Sequence, residues 1–183
     1  MNNAQEQVLQ FWFEDTKPAQ WFQVNPEFDR VIEEKFAETY DLGRDGLLDD
    51  WQSDADGCLA LCIVLDQFPR NIFRGKPQAF ETDKQALLIA KHAVVKGFDQ
   101  ILPVPKRRFL YMPYEHSEQI GDQRKSVALF EKMKEEDPMS YEYAVRHFDV
   151  IDRFGRFPHR NAILGRENTS EEEEYLAEPG AGF

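Results

Sequence analysis

Behind Asn25-Pro26, the apolar residues Phe28, Val31, Ile32, Phe36 and Tyr40 recur three and four apart, which lines them along one face of an α-helix. Asn25 can accept the first-turn amide hydrogens, Pro26 already holds the φ a first-turn residue needs, and Gly43 or Gly46 supplies the stop. The same start returns at Asp137-Pro138, where Tyr141, Ala144, Val145, Phe148 and Ile151 form the buried face and Gly155 the break. His147 lies three residues after Ala144 and four before Ile151, so it edges onto that buried face. Clean apolar/polar alternation is absent, and so is any hairpin dipeptide between apolar runs. These patterns predict an all-α domain of about eight helices, stacked as antiparallel hairpins with short connectors.

The remaining segments fit the same plan. Val8, Leu9, Phe11, Trp12 and Phe13 suit a short first helix that ends before Lys17-Pro18. Asp54-Ala55-Asp56-Gly57 is a capping cluster ahead of the apolar run Cys58 to Leu65, read as a buried helix that ends before Pro69, because a proline pushes the preceding residue out of the α region. Cys58 and Cys62 sit in that run as small hydrophobes, and two cysteines make no disulfide framework. Further helices are predicted over 78–96 with Gly97 as cap, over 106–112 stopped by Pro113, and from Ile120 to about Glu135. A last short helix begins at the capping-box spacing Thr169-Ser170-Glu171-Glu172. A chain of 183 residues fits one domain spanning 1–183, with a frayed acidic tail from about 178.

One decapeptide is too polar for core and too specific for a generic loop: Asp66-Gln67-Phe68-Pro69-Arg70-Asn71-Ile72-Phe73-Arg74-Gly75. A shortened echo returns as Phe157-Pro158-His159-Arg160-Asn161-Ala162-Ile163-Leu164-Gly165-Arg166. Six of the twelve arginines fall in or beside these segments, namely Arg70, Arg74, Arg153, Arg156, Arg160 and Arg166. A guanidinium is a planar fork that grips carboxylate or phosphate with two hydrogen bonds. With 34 acidic residues available, the default role for such arginines is pairing with the protein's own carboxylates. If the two turns converge on one face, Arg70, Asn71, Arg74, Arg156, Arg160 and Asn161 form a ligand-binding set for a small anionic molecule or an acidic peptide.

A net charge of -12 argues against nucleic acid as the partner, since binding through phosphates needs a basic surface. The start of the chain lacks a basic segment followed by an apolar one, and no apolar run approaches the roughly 20 residues that span a bilayer. A cytoplasmic protein with no membrane partner is therefore expected. Oligomeric state is not readable.

The richest chemical set is His116, Glu115, Glu118, His147 and His159, with Asp66, Asp149 and Asp152 available; His116, Glu118, His147 and His159 are the tentative catalytic group. Histidine beside carboxylate is what general acid–base chemistry requires. No His-Glu-x-x-His or comparable ligand spacing is present, so neither metal nor other cofactor is expected. Ser117 lacks a nucleophile elbow and suits capping instead.

The decapeptide, together with Phe109-Leu110-Tyr111-Met112-Pro113, His116-Ser117-Glu118 and Arg153-Phe154-Gly155-Arg156-Phe157-Pro158-His159-Arg160-Asn161, resembles the bacterial domain-of-unknown-function family nine-two-four. The likeness takes in Phe11-Trp12-Phe13 and Trp21-Phe22 and so covers nearly the whole chain. It implies an all-helical fold of the tetratricopeptide-like superfamily, a right-handed array of helix pairs. No established activity comes with it, so no catalytic residue is carried over. Two functions remain: a binding module for a small anionic ligand or acidic peptide at the Arg/Asn turns, or a small hydrolase- or lyase-type enzyme using His and carboxylate. A His/carboxylate pair within hydrogen-bond reach favours the enzyme, and converging arginines favour the binder.

Overall fold

In the computed structural model, residues 4–182 are described, and among them the chain is helical with no strand. Residues 1–3, the beginning of the stretch read above as lacking a leader, and Phe183 at the end of the acidic tail lie outside the described residues. The helices are α1 Ala4–Gln10, α2 Pro26–Arg44, α3 Ala55–Cys62, α4 Phe68–Ile72, α5 Asp83–Lys96, α6 Val104–Glu115, α7 Ile120–Glu131, α8 Pro138–Phe154 and α9 Ser170–Leu176. A π-helical stretch, Ile63–Gln67, joins α3 to α4 without a break, which leaves eight separate α-helical bodies among the described residues. The chain forms two compact units. One runs to Arg74 and resumes over Gln78–Pro113; the other takes Gly75–Pro77 and everything from Tyr114.

The first unit is built around the continuous helix of α3 and α4, in which every residue from Gly57 to Pro69 is buried. Asp54 caps it by accepting the Gly57 amide at 2.8 Å. Gly57 is required because a Cβ there would stand 1.9 Å from the Trp51 carbonyl oxygen. Aromatic side chains fill one side: Phe36 stacks on Phe68 at 4.7 Å, and Trp12 meets Phe68 and Phe109 edge-on at 5.7 and 5.6 Å. α2 presents Phe28, Ile32, Phe36 and Tyr40 to the core as its spacing predicts, with Val31 only half-buried. Asn25 accepts from the Glu27 and Phe28 amides.

Pro69 does not end its helix. Phe68 is α-helical at φ -58, ψ -42 and its N–H reaches five residues back to the Ile63 carbonyl. That π-turn lets the chain run on to Ile72. Pro69 has no N–H for the Leu65 carbonyl four residues before it; Thr82 supplies the missing donor, its hydroxyl 2.6 Å from Leu65 O. Arg70 therefore stands in the last turn of a helix that runs on past Pro69, where it also donates to the Asp66 carbonyl. Pro113 likewise lies within α6, which continues to Glu115. Only one hydrogen bond is forfeited this close to the end, and Gln123 Nε2 secures the exit by donating to the Glu115 and Ser117 carbonyls at 2.6 and 2.7 Å.

In the second unit α7 packs along α8. Asp137 caps α8 through the Ser140 amide, Gly155 closes it in the left-handed conformation, and Ala144, His147, Val150 and Ile151 are buried. Tyr141, Val145 and Phe148 are only half-buried. Phe157 completes a cluster with Val150 and Ile151, flanked by Ile120, Phe154 and Tyr175. Thr169 and Glu172 form the expected capping box at α9.

Thr82→Val strips the buried Leu65 carbonyl of its donor, which costs about 1–3 kcal/mol in denaturant titration. Adding Pro69→Ala restores an N–H at that carbonyl and recovers part of the loss.

Candidate functional site

Each Phe-Pro segment is tied down within its own unit. In the first, the Arg70 fork closes on Asp83, with NH1 and NH2 at 2.9 and 3.1 Å from its two oxygens, while the fully buried Asp66 carboxylate lies 3.3 Å away. Arg74 grips Asp29 of α2 at 2.7 and 2.8 Å, and Asn71 donates to the same carboxylate at 2.8 Å. Burial works against the Asp29 charge, but the Arg74 and Asn71 hydrogen bonds hold its pKa below the usual range. Arg70, Asn71 and Arg74 thus pin α4 to α2 and α5.

The second segment carries two such clasps. Arg156 closes on Glu172 at 2.6 and 2.7 Å and also donates to the Glu167 carbonyl. That fork, opposed by burial and helped by the Thr169 amide, brings Glu172 to about 2. Arg166 closes on Glu118 at 2.8 and 3.0 Å. Phe157 is caught between the same pair: its N–H donates to Glu118 at 2.8 Å and its carbonyl accepts from Arg166 at 3.0 Å. Burial would raise the Glu118 pKa, yet Arg166 and the Phe157 amide lower it. Asn161 donates to Asn168 at 2.8 Å.

Held by that clasp, the Phe157 ring becomes the centre of a polar cluster. The imidazoles of His147 and His159 each lie 5.5 Å from it, and the Arg160 guanidinium sits 4.6 Å over its centre. His116 is 6.2 Å from His147. His147 and Arg160 are buried, whereas His116, Glu118 and His159 are half-buried. The second unit therefore gathers His116, Glu118, His147, His159 and Arg160, while Arg70, Asn71 and Arg74 belong to the first.

Glu115, which the sequence already groups with these histidines, and Arg166, which closes the second Phe-Pro segment, complete the cluster. The Glu115 carboxylate, buried at the end of α6, stands 3.1 Å from His147 Nδ1. Arg166 supplies the clasp. Glu115 neighbours His116 in sequence, but its pairing with His147 crosses from α6 to α8 and has no local signature. His147 Nδ1 is also 2.8 Å from the Tyr143 carbonyl. A carbonyl only accepts, so Nδ1 carries the proton and the lone pair is on Nε2. Burial, then His116, with Arg160 and His159 adding to them against the Tyr143 bond, push His147 down to about 2. The Glu115 carboxylate accordingly stands beside a neutral ring whose Nδ1–H is given to Tyr143. His159 is pushed down to about 4 by burial and then Arg160, with Glu118 opposing. Among the described residues no three His, Cys, Asp or Glu side chains are grouped to hold a metal ion, and no helix is long and apolar enough to cross a membrane.

The family model described as bacterial protein of unknown function (DUF924) matches residues 8–180. The chain belongs to that family. A solved structure of a protein of unknown function from Agrobacterium tumefaciens is similar to it, with 36% identity, a TM-score of 0.90 and coverage of 96% of this chain and 98% of that one. Among curated proteins none matches.

The depressed histidines set a pH dependence. Between the ordinary value of 6.5 and about 4, the unfolded chain binds protons at His147 and His159 that the folded chain excludes. Folding stability therefore falls as pH drops through that window. Urea titrations from neutral to mildly acidic pH should show the decline, and His147→Gln with His159→Gln should flatten it.

Proposed function

We propose that this chain is a cytoplasmic, tetratricopeptide-like helical binding module that recognises a small anionic molecule at its second Phe-Pro turn. The observation carrying this reading is the gathering of Arg160, His159 and His147 round one clasped phenylalanine, with His116 beside His147. Arg160 acts on both His147 and His159 in the direction that expels a proton. An anion placed beside them reverses that effect, so the same field that keeps the imidazoles neutral favours an acidic ligand. Arg70, Arg74 and Arg156 already have their forks on Asp83, Asp29 and Glu172. Within this reading they brace the turns, and Asn71 and Asn161 do the same.

A second reading has its own support. The buried Glu115 carboxylate stands 3.1 Å from His147 Nδ1 while Tyr143 holds the Nδ1–H, an arrangement that leaves the Nε2 lone pair for proton transfer in hydrolase- or lyase-type enzymes.

Inorganic sulfate, whose charge is constant over the working pH range, separates the two. The binder predicts that sulfate raises the His159 pKa in imidazole NMR titrations and binds more tightly as pH falls. Arg160→Met should weaken binding by about tenfold or more, the worth of a charge-assisted hydrogen bond. No change in any imidazole with sulfate contradicts it. Turnover of generic chromogenic esters that falls by about 10²–10⁴ in His147→Gln favours the enzyme instead.

A further inference from the structure

Past α9 the chain doubles back within the second unit. The Ala181 amide donates to the Glu178 carbonyl at 3.2 Å, closing a turn after Pro179. Arg146 of α8, whose guanidinium lies 5.0 Å over the Tyr143 ring, donates to the Gly180 carbonyl at 3.3 Å. Gly182 then lies flat on His159: a Cβ at that position would stand 2.9 Å from the His159 Cβ and 3.3 Å from its Cγ. Gly180 and Gly182 take φ of 82 and 92, a region that L side chains rarely occupy. The Pro179-Gly180-Ala181-Gly182 sequence thus suits this path twice over, in backbone conformation and in the room left at His159. Ala181 and Gly182 are half-buried there.

We infer that residues Pro179 to Gly182 form a strap that closes over His159 and limits access to the cluster around Phe157. The strap is anchored at one end by Arg146 and seated at the other by Gly182, and its displacement opens the ring of His159. As a regulator of ligand entry it rests on the anion-binding reading; as a cover for His159 it stands on the contacts alone. Its small residues let it lie on the imidazole, and its few anchoring bonds let it lift, as lids that gate a site do.

The test is the rate at which diethylpyrocarbonate modifies His159 in the intact protein, followed by peptide mass spectrometry and normalised to His92 in the first unit. Gly182→Ala puts a methyl group into the His159 side chain and an unfavourable φ into the strap, so the His159 rate should rise roughly tenfold. Arg146→Met releases the other anchor and should raise it too. Sulfate affinity is measured on the same proteins. Faster His159 modification with tighter sulfate binding supports the strap and the anion site together. Faster modification when none of the proteins binds sulfate keeps the strap and removes the anion reading. An unchanged His159 rate in both variants overturns the strap, whatever sulfate does.

Discussion

A guanidinium fork closed on a carboxylate is the interaction on which the second unit's site depends. Arg166 and Glu118 hold each other and, between them, both backbone groups of Phe157. Because the backbone is clamped at N–H and carbonyl alike, the ring has a fixed place, and His147, His159 and Arg160 are set by their contacts with that ring. The first unit uses the same device to pin α4, through Arg70 on Asp83 and Arg74 on Asp29. A planar donor with several fixed N–H vectors can meet a carboxylate and a main-chain carbonyl at once, as Arg156 and Arg166 both do. A lysine could not reproduce that geometry.

What was legible in the sequence was what neighbouring residues decide. Asn25, Asp54, Asp137 and Thr169 cap the helices they precede, because a cap needs only its own first turn. The phase of α8 places His147 on the buried side for the same reason. Pro69 and Pro113 were misread as stops. The rule about the residue before proline is local, but the donor that satisfies Leu65 O is Thr82, 17 residues on, and the π-turn that accommodates Pro69 leaves no mark in the apolar pattern. The choice of arginine partners is equally non-local. Charge counts favoured internal pairing, yet nothing near Arg74 pointed to Asp29, 45 residues away, and nothing near His147 pointed to Glu115.

The polar residues of the two Phe-Pro segments divide by task. Those that span helices do so through paired charges, and burial of such pairs leaves strong directional constraints on how α2, α4 and α5 meet in one unit and how Glu118 and α9 meet the turn in the other. The histidines do something else. A buried imidazole kept neutral by desolvation and neighbouring positive charge is a costly arrangement for mere packing, and such perturbation is a recurrent mark of functional positions. The similar structure from Agrobacterium tumefaciens carries no stated activity, so the chemistry of this cluster is the guide to what the fold does.

The central claim is that His147 is a neutral, Nδ1-protonated imidazole held between Glu115 and Tyr143. Long-range proton–nitrogen NMR of the imidazoles reads tautomer and charge directly. The account predicts the Nδ1–H tautomer for His147 at every pH from neutral down to where the protein unfolds. Protonation of His147 with a midpoint near the ordinary 6.5, or a predominant Nε2–H tautomer, would contradict it.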